Sequence, residues 1–310
     1  MTSPTTHRLI KDNQTSGIAI QDWTVLSHKT SILNSQEIDA YVFAPPRLLL
    51  LPTLPPTKHK KTKHDPVPPC QFNKTLDRAS ADLGIPIPEM IFGNNYLSIE
   101  HTSGFKLEFK ALPALALVDK SSKSSDLIKV SYAREWFEKR SMANQEHITD
   151  VVKPYDWTYS TKYNGTNVSD KEHMQFQSSS EETIDIEQLK KPDPILFYNE
   201  NILFEDELAD NGTAILTTKV RVMPSCFFIL LRFFLRVDDV LFRVHDTRVY
   251  HRFGTKSIIR ECSTKEGSYR EIRAKIPRSS GDDLSLLLDS NWVSSQIPEQ
   301  ASQVEVARLE

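Results

Sequence analysis

Between Val220 and His251 the chain reads VRVMPSCFFILLRFFLRVDDVLFRVHDTRVYH, its densest apolar stretch. Phe227 to Leu231 is unbroken, and Phe233, Phe234, Leu235, Val237, Val240, Leu241 and Phe242 follow. Each large apolar side chain taken out of water contributes roughly 1.5–3 kcal/mol, so this stretch must be core. Arg232 and Arg236 interrupt it well short of the ~18 apolar residues that a membrane-spanning helix requires. Pro224-Ser225 and the one-turn spacing of the two arginines would suit a helix. The richness in Phe, Val and Ile, and the Asp238-Asp239 break, favour two strands and a turn. Beyond that turn Val240, Phe242 and Val244 alternate with Leu241, Arg243 and His245, the two-residue period of a strand. A long antiparallel hairpin is the expectation. Arg232 and Arg236 would then share a face with Phe228, Leu230 and Phe234, and an unpaired buried arginine is costly. Glu205, Asp206 and Glu207 are the expected partners. The weak point is the turn, since Asp-Asp is poorer than Asp-Gly where a positive φ is needed.

The 310 residues allow one large domain or two ordinary ones, and 39% hydrophobic content is enough for a core. A net charge of −3 gives no reason to expect nucleic acid or an anionic membrane as partner. Three cysteines, Cys70, Cys226 and Cys262, without a CxxC, indicate neither a disulfide framework nor a zinc knuckle. No apolar leader opens the chain, so a soluble intracellular protein is expected, and the five N-x-S/T sequons are taken as chance matches.

Taken in order, residues 1–16 are polar and expected to be disordered. Ile18 to Ile32 reads as one or two strands around Trp23. Asn34 and Glu37 resemble a helix cap, yet the sequence from Val42 to Gln71 carries eight prolines and lysines 58, 60, 61 and 63. Proline at that density forbids helix and central strand. With 42–71 removed, Ile38, Phe72, Leu76, Ala79 and Leu83 fall on one helical stripe ending at Gly84. The segment reads as an excursion from a single helix, or a translated intron. Tyr96–His101 and Phe105–Phe109 read as a hairpin through Ser103-Gly104, and Leu112–Val118 as a short helix. Ile128–Tyr132 reads as a strand and Ala133–Arg140 as a helix. Tyr163-Asn164-Gly165 marks a turn, Glu181–Lys190 a short acidic helix, and Asn211-Gly212 a hairpin into the strand Ala214–Met223. From residue 277 the chain becomes a polar tail with only Leu284, Leu286, Leu287, Leu288 and Trp292 able to dock. The expected architecture is a single α+β domain, 17–276, mostly antiparallel β-sheet with a few peripheral helices.

Few constellations carry chemistry. Glu205, Asp206 and Glu207 could hold a metal for a hydrolase, but no histidine-rich ligand set accompanies them, and a charged turn is the simpler reading. His245 and His251 lie about 20 Å apart on a strand, too far to share an ion. No nucleophile or nucleotide motif occurs, and Cys226 borders an apolar run where a thiol behaves as a hydrophobe. Tyr155, Trp157 and Tyr159 would share one face of a strand, either as core or as a peptide groove. Lysines 58–63 could serve a nuclear scaffold or a solvated loop. Val244, Asp246, Arg248 and Tyr250 share the face of Phe242 and run from apolar to polar. They suit either peptide capture at a rim or an internal Asp246–Arg248 pair.

The segments IPEMIFGNNYLSIEH, KPYDWTYSTKYNGT, ILFYNENILFEDELADNG and the central hairpin together resemble the TIPRL family, the TOR signalling pathway regulators. The resemblance runs from about Trp23 to Arg273, interrupted at 42–71. It implies a non-catalytic, cofactor-free regulator that binds the catalytic subunit of type 2A protein phosphatases. It also implies an antiparallel body with a cleft for that subunit's C-terminal tail. An alpha-four-type regulator is a further implied partner, the protein being a monomer of the cytoplasm and nucleus. Within HDTR, and with Ile184 upstream, it ties Asp246 and its neighbours to phosphatase binding. The sequence departs from the family at Asp239, where Gly is usual, at 42–71, and at Pro113, where an acid is common.

Overall fold

The computed structural model describes residues 7–33, 82–119, 158–208, 210–277 and 284–309. Two antiparallel sheets form the body. The smaller contains β1 (His7–Lys11), β2 (Thr15–Ile20), β3 (Trp23–His28), β5 (Tyr96–His101), β6 (Lys106–Lys110) and β7 (Thr166–Asn167), side by side in that order. The larger is ordered β4 (Met90–Ile91), β9 (Phe197–Asp206), β10 (Gly212–Val222), β11 (Cys226–Val237), β12 (Leu241–Arg252), β13 (Ser257–Ser268), β14 (Ala301–Arg308) and β8 (Gln177–Ser178). Among the described residues the helices are short: α1 (Ala111–Ala116), α2 (Ile186–Lys190), α3 (Tyr269–Arg273) and α4 (Ser290–Gln296). This is the α+β, mostly antiparallel fold that the two-residue periods predict.

The central hairpin is β11–β12, in register from Cys226↔Arg252 to Val237↔Leu241. Its turn closes through the Val240 N–H on the Val237 carbonyl at 3.0 Å. Asp239 alone takes the left-handed conformation, φ 59°, which Asp tolerates better than most side chains. The Asp-Asp turn therefore closes the hairpin, at the position where the sequence resemblance leads one to expect Gly. On β11 the odd-numbered residues Phe227, Ile229, Leu231, Phe233, Leu235 and Val237 are all buried against the smaller sheet. Trp23 joins the two layers, with ring centroids 4.9 Å from Phe227 and 4.8 Å from both His101 and His251.

The opposite face of the larger sheet is covered at its two ends by separate pieces of chain. At one end Phe234, Phe242 and Val244 pack beneath Tyr269, Ile272, Leu287, Val293 and Ile297. At the other Cys226, Tyr250, Ile259 and Val306 pack beneath Ile184 and Leu189.

Several expectations change. Residues 7–11 form an edge strand where disorder is expected, paired to β2 but exposed along most of their length. Residues 284–309 are not a tail: α4 docks on the body, and β14 pairs with β13 over eight positions. The helix expected at 181–190 is confined to Ile186–Lys190, because Asp185 caps it by accepting the Gln188 N–H at 2.9 Å. The acids 205–207 do not serve the arginines. Arg232 pairs with Asp246, and Arg236 Nε lies 2.8 Å from Asp238. Gly84 has φ 67°, and Asp82–Leu83 before it are helical, as a C-terminal glycine requires. The stretch 42–71, the rest of the stitched helix, and the strand and helix expected within 120–157 lie outside the described residues.

Candidate functional site

Across β11 to β14 the inner face of the larger sheet changes from apolar to polar. The face that is Phe233, Leu231 and Ile229 on β11 continues across the ladder as His245, Thr247 and Val249 on β12. On β13 it reads Thr264, Cys262 and Arg260, and on β14 Ala301, Gln303 and Glu305. Over this polar half the chain leaves a cavity of about 860 Å³, roofed by residues 160–164 and Asp119. That volume lies within the roughly 300–1,000 Å³ of ordinary ligand pockets.

The roof is pinned by polar contacts. Thr161 Oγ1 donates to the Ala114 carbonyl at 2.7 Å, and the Asp119 N–H donates to the Ser160 carbonyl at 2.8 Å. Tyr163 donates its hydroxyl to the Glu108 carbonyl at 3.0 Å; burial pushes the phenol up to about 12, so it stays a donor. Gly165 ends the roof at φ 93°, where a Cβ would meet the Phe109 ring at 2.8 Å. Only glycine lets the loop lie this close to β6.

The floor holds its charges internally. Arg243 Nε donates to Glu266 Oε2 at 2.8 Å and Nη1 to Ser160 Oγ at 2.5 Å, tying floor to roof. His245 Nδ1 lies 3.0 Å from the Thr161 carbonyl, which can only accept, so the proton sits on Nδ1. Burial lowers the pKa of this imidazole, leaving Nε2 as a neutral acceptor. Arg260 lies 3.8 Å over the Phe176 ring and pairs with Glu305 at 2.6 Å at the end of the same face. Burial raises the Cys262 thiol, which is therefore no ready nucleophile. What remains of the lining is hydroxyls and amides, Thr247, Thr264, Gln300 and Gln303, together with the charged residues Asp119 and Lys162 of the roof. Such a surface supplies donors and acceptors, with charges of both signs around them. It suits an extended polypeptide main chain better than a strongly charged small molecule.

The residues singled out from sequence occupy the other face. Val244 is buried beneath α4, and Tyr250 beneath Ile184. Burial pushes the Tyr250 phenol up to about 12. Ile184 is itself buried, its N–H donating to Glu261 Oε1 at 3.1 Å. Asp246 is 2% exposed and accepts from Arg232 Nε and Nη2, both at 2.7 Å. Only Arg248 reaches solvent, 3.7 Å from Asp246 and 3.8 Å from Glu261. The four β12 residues do share a face, but that face is covered at both ends, so Asp246 is an internal anchor rather than a rim group. Tyr155 and Trp157 lie outside the described residues. Tyr159 is not on a strand: it has φ 61° and is buried beside Phe204.

Asp206 holds a turn, accepting the N–H groups of Glu89 at 3.0 Å and Leu208 at 2.7 Å. Glu205 pairs across the ladder with Ile215 on the opposite strand face. Among the described residues no three of His, Cys, Asp or Glu are grouped so as to hold a metal ion, and no helix is long and apolar enough to cross a membrane. Sequence reading weighed His245 only as a metal ligand and within HDTR, and gave Arg243 and Thr264 no role. The signal was present: polar residues fill the β12 positions that face apolar residues on β11.

Comparison with known proteins bears on this arrangement. The profile of the TIP41-like family matches residues 90–273, which contain α1, the roof and most of the floor. The chain is 37% identical over 321 residues to the Type 2A phosphatase activator TIP41 of Saccharomyces cerevisiae, covering 99% of this chain and 78% of that protein. It is 41% identical over 224 residues to the TIP41-like protein of Homo sapiens, covering 72% of this chain and 78% of that one. The Type 2A phosphatase activator tip41 of Schizosaccharomyces pombe is 35% identical over 222 residues, 72% of this chain and 85% of the relative. By profile, identity and coverage, this chain belongs to the TIP41-like family.

Proposed function

We propose that this protein is a non-catalytic regulator of type 2A protein phosphatases in TOR signalling, acting by binding the catalytic subunit and holding its extended C-terminal tail in the inner-face cavity. The names of the yeast relatives supply the phosphatase. The observation that carries the binding mode is the cavity itself. It is large enough for a short peptide, and its floor and roof offer hydroxyls, amides and one neutral imidazole acceptor. Arg243 on the floor is already satisfied by Glu266, and the other charged lining residues, among them Asp119, Lys162 and Lys265, include both signs, so the proposed recognition rests mainly on hydrogen bonding. Association with an alpha-four-type regulator, a monomeric state, and residence in cytoplasm and nucleus belong to the same proposal through the sequence resemblance.

The test is a calorimetric titration of the full chain with a synthetic peptide of the catalytic subunit's tail, and then with the subunit itself. Saturable peptide binding that competes with the subunit supports the reading. Subunit binding that the peptide cannot displace would place the contact elsewhere. Phosphatase activity of the complex then gives the sign of the regulation.

A further inference from the structure

The larger sheet ends unevenly beside the cavity. β14 pairs with β13 from Ala301 to Arg308, but on its other side β8 covers only Glu305 and Val306. One more bond, from the Ser179 N–H to the Val304 carbonyl at 2.9 Å, ends that cover. Main-chain groups on a strand point alternately to its two neighbours. Since Val304 turns its carbonyl toward β8, the N–H and carbonyl of Ser302 point the same way. Among the described residues no strand pairs with β14 there. The burial of the strand follows this division: Ala301 to Gln303 are exposed, while Val306, Ala307 and Leu309 are buried.

This open edge is not loose. The Gln300 N–H donates to the Thr264 carbonyl at 3.0 Å, and Gln300 Nε2 donates to the Glu266 carbonyl at 3.1 Å. At the far end the Leu309 N–H donates to the Lys256 carbonyl at 2.7 Å. Helix α4, just upstream, is held by Lys265 Nζ on the Ser294 carbonyl at 2.8 Å and by Arg232 Nη1 on Asn291 at 2.9 Å. Residues 300–303 line the same cavity as the roof and the β12 floor. The structure therefore presents a fixed strand edge, with main-chain groups available, beside a peptide-sized space.

We infer that the C-terminal segment 284–309 is a working part of the binding site, and that an extended peptide adds as a strand to the edge of β14 at Ala301–Gln303, in line with β8. This rests on the proposed function for the identity of the peptide, the phosphatase tail. Strand addition gives affinity through main-chain hydrogen bonds, and alternate side chains of the added strand enter the pocket. Here the alternate residues would face Gln303 and Thr264 on one side and solvent on the other. The segment lies beyond the residues matched by the family profile.

Two measurements test it on the full chain. The first is a scan of tail peptides, each methylated at one backbone nitrogen. Strand addition predicts losses of at least tenfold at every second position and little change between. The second is Ser302→Pro, which removes the edge-facing N–H while leaving the bonds to β13 intact; peptide affinity should fall at least tenfold with an unchanged circular dichroism spectrum. Thr264→Trp, which fills the floor, separates the two levels of the argument. If Thr264→Trp abolishes binding but the methylation scan shows no two-residue period, the cavity binds the peptide in another way and strand addition is wrong. If Thr264→Trp also binds normally, the functional reading itself fails. Should Ser302→Pro fail to fold, the methylation scan on the unmodified chain decides alone.

Discussion

Adjacent residues of β12 have opposite fates. Arg243, His245 and Thr247 look into an open cavity, whereas Val244 and Tyr250 are sealed beneath α4 and the segment carrying Ile184, and Asp246, which also borders the cavity, is buried with its carboxylate held by Arg232. One strand therefore borders a cavity on one face, where binding is proposed, and is packed into the body on the other. The outer face carries Asp246 and Arg248, the charged pair of HDTR that looks most like a binding motif in the sequence. What separates the two is not polarity but cover. A carboxylate with a bidentate arginine beneath a helix is structural, and a threonine beside an unfilled space is available.

The comparison is broken most severely at Asp246. Asp246→Asn leaves Arg232 buried without its counter-ion, and removing one member of a buried pair costs about 3–5 kcal/mol. Urea unfolding should show a loss of that size. The double variant Arg232→Met with Asp246→Leu should recover most of it, because the desolvated charges are then both gone. Any loss of phosphatase binding in Asp246→Asn should follow the unfolded fraction and disappear when the protein is held folded at lower temperature.

An acid titration gives the next largest effect. Burial lowers the pKa of His251 from 6.5 to about 4, so the folded state favours the neutral ring. Its stabilisation is fully present above pH 6.5 and is lost as pH falls toward 4, since the unfolded chain takes up the proton first. That linkage amounts to roughly 3 kcal/mol. The pH slope of Tm should flatten between 6.5 and 4 in His251→Leu relative to the parent. An unchanged slope would mean that other groups carry the acid sensitivity.

Arg248 sharpens the contrast within the outer row. Its partly exposed pairs at 3.7 and 3.8 Å should make Arg248→Ala cost less than about 1 kcal/mol in the same urea assay. The smallest effect concerns the hairpin turn. Asp239 sits at φ 59°, which glycine adopts freely, so Asp239→Gly should raise stability by about 0.5 kcal/mol after the entropy of the unfolded chain is subtracted. A differential scanning measurement showing a lower Tm would mean that the aspartate side chain contributes more than its backbone strain costs.

Much of the scaffold was legible from periodicity. The β11–β12 hairpin, the β5–β6 pair and the strand around Trp23 all announce themselves because each has a face in the core. The strands β1 and β14 did not. β1 is an exposed edge, and half of β14 lines a cavity, so neither alternates apolar with polar along its whole length. Which face of β12 is left open was hidden for a related reason. Sequence shows which residues share a face of β12 but not what lies over it, and the covers, α4 and residues 184–191, are distant in the chain. The partner of Arg232 was missed likewise: Asp246 lies directly across the ladder, a pairing that the hairpin register implies but that the nearer acids 205–207 obscured. Cavity residues such as Thr247 and Thr264 carry no motif, because hydroxyls at a strand surface are commonplace.

The central claim is that binding belongs to the inner face of β12–β14 and cohesion to the outer. The most direct measurement is a calorimetric titration of the phosphatase catalytic subunit into Thr264→Trp and Arg248→Ala, each first shown to be folded. The account predicts that Thr264→Trp loses at least a hundredfold in affinity, with Tm within a few degrees of the parent, while Arg248→Ala binds as the parent does. Parent-like binding by Thr264→Trp together with lost binding by Arg248→Ala would contradict it and return the partner to the outer face.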